Sequence, residues 1–390
     1  MDPRINPYAP GAGFPPPELA GRDDIIERAA IALDRIRAGR PARSMILYGL
    51  RGVGKTVLLN KVRLDAEARD IATVRIEAPE EKSLPAMLVP AMRAALIKLS
   101  RGAALKAGFG AVLKTLGGVA RALKVRYDDI EVGLDPGEES VAGSGDLETD
   151  LADLLAALGE AARSHRTAVI IVIDELQYIP EDQLGALIAA LHRVNQNQLP
   201  VALFAAGLPQ LLGTAGRAKS YAERLFEFVP VDRLDPEAAG IALSKPAERE
   251  GVRFTPEAVR EIILQTHGYP YFLQEWGRHS WDMAAASPIG LDDARAATPA
   301  AIAELDASFF RVRFDRLTPA EKRYLRAMAE LGPGPHRSGD IADRLGKSVT
   351  TVAPTRSSLI AKGMLFSPAH GDTAFTVPLF DGFMKRIMPG

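Results

Sequence analysis

The 390 residues carry 48 Lys and Arg against 49 Asp and Glu, a net charge of −1, so no whole-molecule attraction draws the chain to nucleic acid and any such contact must come from a local surface. The absence of cysteine excludes a disulfide framework and thiolate metal sites, and with nothing asking for an oxidising compartment a cytoplasmic location is expected. The chain is longer than one ordinary core organises and holds neither a run of about 18 apolar residues nor a signal-like apolar start, so a multidomain protein with no membrane span is expected.

Residues 1–18, rich in proline and glycine, are expected to be extended and without regular structure. LAGRDDIIERAAIALDRIRAG then predicts a helix with Ile25, Ile26, Ala29, Ala30, Leu33 and Ile36 on one face and Gly39 closing it. The apolar run SMILYG suits a buried strand, and it leads through a glycine-rich turn into the helical stretch KTVLLNKVRLDAEAR. IATVRIEA, AVIIVIDE, PVALFAAG and FEFVPVDRL supply four more strands, with the helical pattern QLGALIAALHRVNQ before PVALFAAG. Strands alternating with helices predict an α/β domain whose parallel sheet is covered on both faces.

A long excursion, roughly 83–166, separates the second and third strands and opens on the helix-like LPAMLVPAMRAALIKLS. Between 98 and 126 it carries seven basic residues and no acidic one, then turns acidic. A solvated helical insertion over about 98–150 is the first reading, and a nucleic-acid or membrane-surface contact the second. Helical signals return in 236–288, where Thr255 caps a helix opened by Pro256, and this segment is expected to form a small lid. Its core is expected to hold Trp276, Trp281, Tyr271 and Phe272.

GLRGVGKT, Gly49 to Thr56, matches G-x-x-x-x-G-K-[ST]. Its glycines let backbone N–H groups face phosphates; Lys55 would reach the outer phosphates and the Thr56 hydroxyl would ligate magnesium. Gly49, Leu50, Arg51, Gly52, Val53, Gly54, Lys55, Thr56 and Val57 are therefore the candidate nucleotide-binding residues. AVIIVIDE ends in Asp174 and Glu175, candidates for holding magnesium and for activating the attacking water. Arg224, just before the fifth strand, is the candidate arginine finger for a neighbouring copy's ATP, with pairing to Glu223 or Glu227 the competing reading. Gln177 is expected to make a structural hydrogen bond or, second, to place water. The six histidines show no metal spacing, and His192 reads as a boundary residue.

These stretches, together with LPVALFAAGLPQL, ERLFEFVPVDRLDPEAA and HGYPYFLQEWG, resemble the prokaryotic AAA+/STAND P-loop ATPases, a group that includes archaeal-type ATPases and origin-recognition-like initiators. The resemblance covers about residues 19–283 and implies a P-loop NTPase (ASCE/AAA+) sheet in the order 5-1-4-3-2, a helical lid, ATP and Mg2+ as ligands, and Gly21 and Arg22 near the adenine. Two departures bear on turnover. The fourth strand ends AAGLP where many relatives have a polar sensor, for which Gln210 or a backbone group is the candidate substitute, and Tyr271 stands where the lid often has an arginine.

After a linker helix expected over 289–316, residues 317–390 show a capped start at TPAEKRYLRAMAELG and a helix-turn-helix rhythm. SGDIADRLG reads as a capped helix, Pro354 places the start of the next helix at Ala353 or Pro354, and two strands around His370-Gly371-Asp372 complete a winged helix. From Arg316 onward there are 11 basic and 6 acidic residues, net +5. Lys347, Arg356 and Lys362, with Arg344, are candidates for DNA phosphate contacts. The leading expectation is an ATPase whose nucleotide state controls assembly and a DNA-associated winged helix. Against it stands a STAND-type switch that holds ATP or ADP and recruits a protein effector; a metabolic kinase fits poorly.

Overall fold

The computed structural model describes residues 1–11, 14–79, 82–99, 116–118, 120, 144–369 and 371–389. Most of the basic insertion and the hairpin residue His370 lie outside them.

Five strands, β1 (Ser44–Tyr48), β2 (Ala72–Glu77), β3 (Val169–Asp174), β4 (Val201–Gly207) and β5 (Phe226–Pro230), form a parallel sheet in the order β2-β3-β4-β1-β5. Read from the other edge this is 5-1-4-3-2, as the family resemblance implied. The period-2 alternation of a strand sends Ile171, Ile173, Leu203 and Ala205 to one face and Ile170, Val172, Ala202 and Phe204 to the other. Helices α1 (Asp23–Arg37) and α2 (Lys55–Glu67) cover the second face, burying Ile25, Leu33, Leu58 and Val62. The first face is covered by α3 (Leu84–Leu99), α4 (Leu147–Ser164) and α5 (Glu181–Gln196). Because both faces are dry, the central strands β1, β3 and β4 read as continuous apolar runs, while the edge strands β2 and β5 carry charged residues, Arg75, Glu77 and Glu227, among their apolar ones. Two short helices, α6 (Leu211–Ala218) and α7 (Ala222–Leu225), lead from β4 into β5.

The segment expected to form a lid holds α8 (Pro236–Arg249), α9 (Pro256–Thr266) and α10 (Pro270–Met283). Asp235 and Thr255 cap the first two by accepting N–H bonds from Ala238 and Ala258, each followed by proline at the first helical position. Trp276, Trp281 and Phe272 are buried among these helices, as expected, whereas Tyr271 is only half-buried. Helix α11 (Leu291–Leu305) packs on α10, and a π turn over Asp306–Phe310 joins it to α12 (Arg311–Asp315). One apolar cluster then runs unbroken from Leu234 through Trp276 and Phe310 to Phe383, crossing the boundaries expected at 289 and 317. The helices over 236–283 and the C-terminal helices therefore share one core.

That C-terminal region is helical: α13 (Pro319–Glu330), α14 (Ser338–Arg344), α15 (Val349–Ala361) and α16 (Phe380–Ile387). Three short strands, β6 (His336–Arg337), β7 (Leu365–Phe366) and β8 (Asp372–Phe375), pair antiparallel in the order β6-β8-β7. Thr318 and Glu321 form the capping box that opens α13.

Three local expectations need correction. Helix α15 begins at Val349, not at Ala353 or Pro354: Ser348 accepts the Thr351 N–H as N-cap, and Pro354 sits on the exposed face, where water can satisfy the carbonyl its ring leaves unbonded. Ser338 does not cap α14; its hydroxyl donates to the Gly371 carbonyl. The N-terminal segment contains one 3-10 turn, Pro3–Ile5, started by Asp2 accepting the Arg4 N–H. Beyond that turn Tyr8 is buried against Gly277, where a Cβ would come within 2.7 Å of its ring, and its hydroxyl donates to the Leu243 carbonyl.

Candidate nucleotide site

Parallel pairing brings the C-terminal ends of all five strands to one edge, and the loop Gly49–Thr56 leaves β1 there. A Cβ on Gly49 would lie 1.9 Å from the Val231 carbonyl oxygen, so only glycine fits where the chain beyond β5 crosses the loop. Gly52 and Gly54 have φ of +82° and +94°, the left-handed region that turns successive N–H groups inward before α2 begins at Lys55. The unpaired N–H groups of the first turn of α2 and its positive dipole end make this an anion-binding position.

Lys55 is buried, and its Nζ donates to the Gly49 and Leu50 carbonyls at 2.9 and 2.8 Å. Burial pushes its ammonium down to about 8, against the pull of Glu175. Val53 is buried beneath the loop, and Val57 lies half-buried in the first turn of α2. The buried Arg22 guanidinium donates to the Val53 carbonyl at 3.3 Å and to the Asp232 carbonyl, and burial lowers its pKa. Gly21 (φ +66°) lets the chain pass α8, where a Cβ would approach Ala238 within 2.6 Å. The pair therefore braces the loop against the lid side.

Asp174 ends β3, with β4 between it and β1. Burial raises its pKa; the Thr56 hydroxyl and the Glu175 N–H, the latter at 2.9 Å, bond its carboxylate and oppose that rise. Thr56 and Asp174, separated by more than a hundred residues in sequence, are thus in contact. Glu175 has φ +54° and opens a 3-10 turn over Leu176–Tyr178. Gln177 makes the structural hydrogen bonds expected of it: its amide nitrogen donates to Glu175 Oε2, and its Oε1 accepts from Leu208 N at 3.0 Å. The water-activating candidate is thereby tied to the end of β4. Gln210, beyond that strand, has a buried Oε1 without a partner among the described residues.

Sequence reading did not find what closes the site. Tyr271 N–H donates to the Gly52 carbonyl at 3.3 Å, joining the lid to the loop. Arg51 N–H donates to the Thr376 carbonyl at 3.0 Å, so the C-terminal region touches the loop as well. The Arg51 guanidinium bonds the Tyr178 hydroxyl at 2.7 Å and lies 3.6 Å from Glu175 Oε1. A cleft of about 740 Å³ opens beside it, lined by Arg51, Glu77, Glu175, Arg313, Arg316 and Lys362 among others. No local pattern marks Thr376 or Arg313, because their place depends on packing between distant segments.

Arg224 stands at the other end of the sheet, next to the start of β5, where Phe226 pairs with Ser44. It is exposed beside a cavity of about 510 Å³ that also holds His192 and Tyr221. Neither expected carboxylate pairs with it; Glu227 is bonded to Arg28 instead. Half-buried His192 packs its ring 4.6 Å from that of Tyr221. Of the DNA-contact candidates, Arg356 is spent on Thr373, Ser367 and the Asp372 carbonyl, Lys362 on Glu321 at 2.8 Å, and Arg344 on Glu330. Lys347 remains exposed, with no ion pair among the described residues.

A glycine loop between a buried strand and a helix, with a threonine bonded to an acidic strand end, defines the phosphate-binding site of a P-loop nucleotide-binding protein. More narrowly, residues 18–204 match a family model described as an AAA ATPase domain. Residues 307–384 match a second model, described as a domain of unknown function (DUF8462). The whole chain is similar in fold to a Walker-type ATPase of Pyrococcus abyssi, at 14% identity and a TM-score of 0.52 over 94% of this chain and 96% of that one. It is also similar to the ORC2 protein of Aeropyrum pernix in its ADP form, at 16% identity and a TM-score of 0.55 over 100% and 99%. No curated protein matches the sequence. Among the described residues no helix is long and apolar enough to cross a membrane.

Proposed function

We propose that this chain hydrolyses ATP to ADP and phosphate, and that the nucleotide state governs the C-terminal region. The observation that carries the proposal is the contact of Thr56 with Asp174, with Glu175 next in the chain and Lys55 on the same loop. The loop N–H groups and the start of α2 would hold the phosphates, and Lys55 would leave its two carbonyls for them. Thr56 and Asp174 present oxygen donors suited to a hard cation, and a magnesium ion there would neutralise phosphate charge. Glu175 would take a proton from water as the water oxygen bonds the γ phosphorus and the bond to the β-phosphate oxygen breaks. For that, its carboxylate must leave Gln177 or share itself with the water. Steady-state turnover of wild type and Glu175→Gln tests this: the substitution should lower turnover about a hundredfold or more while leaving ATP bound. Equal turnover in the two proteins would remove Glu175 from the mechanism.

We read the C-terminal region as a winged helix that carries the response, because it touches the loop through Thr376. Contact with double-stranded DNA is the first candidate response, resting on exposed Lys347 beside exposed Thr350 and Thr351. A second copy of the chain or a protein effector is the alternative. Nucleotide retained for many minutes with negligible release of phosphate would instead mark a holding switch.

A further inference from the structure

We infer that Arg313, a residue of the C-terminal region outside the AAA ATPase domain, binds the terminal phosphate of the nucleotide and so makes residues 307–384 part of the ATP site. The inference rests on the ATP reading above and adds the residue that distinguishes ATP from ADP.

Position comes first. Arg313 lies on α12 and lines the cleft that Arg51 and Glu175 also line. Its guanidinium sits 4.1 Å above the Phe309 ring and donates to the Phe309 carbonyl. Phe309 in turn stacks on Tyr271 at 4.7 Å, and Tyr271 N–H is bonded to Gly52 in the phosphate loop. A continuous path of contacts therefore fixes Arg313 relative to the loop. Tyr271 thus supports, through Phe309, an arginine arriving from further along the chain.

Charge is the second argument. Arg313 has no carboxylate partner among the described residues, although it is half-buried. Burial, and then the neighbouring Arg51 guanidinium, lower its pKa to about 10. The Arg51 and Arg313 guanidinium groups line this cleft with Glu175, which lies 3.6 Å from Arg51 and is also held by Gln177. Arg51 thus has Glu175 as its counter-charge, whereas the half-buried Arg313 guanidinium has none of its own, and a phosphate is a group that would balance it. The planar fork of an arginine suits phosphate oxygens, and Phe309 keeps that fork from folding away.

The test compares ATP and ADP affinity by displacement of a fluorescent ADP from full-length wild type, Arg313→Gln and Arg313→Lys. Arg313→Gln should weaken ATP about tenfold or more while ADP changes by less than about twofold, and Arg313→Lys should recover part of the loss. An unchanged ATP-to-ADP ratio in Arg313→Gln overturns the inference even if wild type binds both nucleotides well. Parallel loss of both nucleotides in both variants, with a lowered unfolding temperature, assigns Arg313 to packing and overturns it too. Wild type that holds neither nucleotide defeats the ATPase reading itself, and this inference with it.

Discussion

The two ends of this molecule reach the candidate nucleotide site by different means. In the region that matches the AAA ATPase model each candidate side chain follows directly from a strand end: Lys55 and Thr56 come after β1, Asp174 and Glu175 at the end of β3. In the C-terminal region Thr376, bonded to the loop, and Arg313, across the cleft from Arg51, are 63 residues apart and are brought there by a core shared with the helices over 236–283. The first kind of site tolerates change elsewhere as long as the sheet stands. The second should respond to any change that shifts that shared core.

Phe310 offers the strongest way to break the comparison. It is fully buried, and its ring meets those of Phe309, Phe380 and Phe383 at 5.3 to 5.7 Å. Phe310→Ala should cost about 3–5 kcal/mol. If lid and C-terminal region are one cooperative unit, urea unfolding will show that unit shifting as a single transition, and ATP affinity will fall with it. A loss confined to residues beyond 317, with the lid intact by hydrogen exchange, would show two units instead.

What could be read in advance follows the same division. Apolar runs such as VIIVID and VALFAAG have no explanation except a sheet buried on both faces, and GLRGVGKT specifies a backbone shape as well as a chemistry. Capping pairs such as Thr255 with Pro256 and Thr318 with Glu321 set helix starts from three or four residues. Pro354 misled because its penalty depends on which face of the helix it occupies, which local sequence does not settle. Arg356 and Lys362 looked like free cations because composition counts charges but not partners; each is bonded within its own domain. Arg313 carried no signal, since an arginine becomes a phosphate ligand only when distant packing points it into the cleft.

Glu321 gives a smaller effect, with a pH signature. Burial pushes its carboxyl up, but bonds from Lys362 at 2.8 Å, Thr318 N–H at 2.7 Å and Ser358 at 2.7 Å outweigh that and hold it down at about 2. A carboxyl whose folded pKa lies below its unfolded value stabilises the fold above the unfolded pKa and loses that contribution as pH falls toward the folded one. Wild type should therefore exceed Glu321→Gln by roughly 3 kcal/mol near pH 7, and the gap should close between about pH 4.5 and pH 2. A gap independent of pH in chemical denaturation would place the effect in packing, and would loosen the link between the capping box of α13 and the end of α15.

Arg224 probes the opposite edge of the sheet. Because it is exposed and far from its own phosphate loop, Arg224→Ala should leave ATP affinity and monomer stability within about 0.5 kcal/mol of wild type. Any loss of turnover should appear only at concentrations where copies associate, so turnover per chain, measured against protein concentration alongside light scattering, reads the effect. Equal loss at all concentrations would assign Arg224 a role within one chain.

The smallest effect expected is at Lys347. A single exposed lysine that meets a DNA phosphate contributes little to folding, so Lys347→Ala should leave the unfolding midpoint in place. If the winged-helix reading holds, the substitution should weaken binding of double-stranded DNA uniformly across sequences and lower the slope of log affinity against log salt by about 1. The companion substitution Arg356→Ala discriminates further. Its guanidinium braces the β7–β8 hairpin through Thr373 and Asp372, so its loss should destabilise the domain before it alters any salt slope. A slope that falls with Arg356 and is untouched by Lys347 would mean that the hairpin opens on binding and presents a different face to DNA. Binding that is absent in wild type at low salt would turn the C-terminal region from nucleic acid toward a protein partner, leaving its contact with the phosphate loop as the route by which nucleotide reaches that partner.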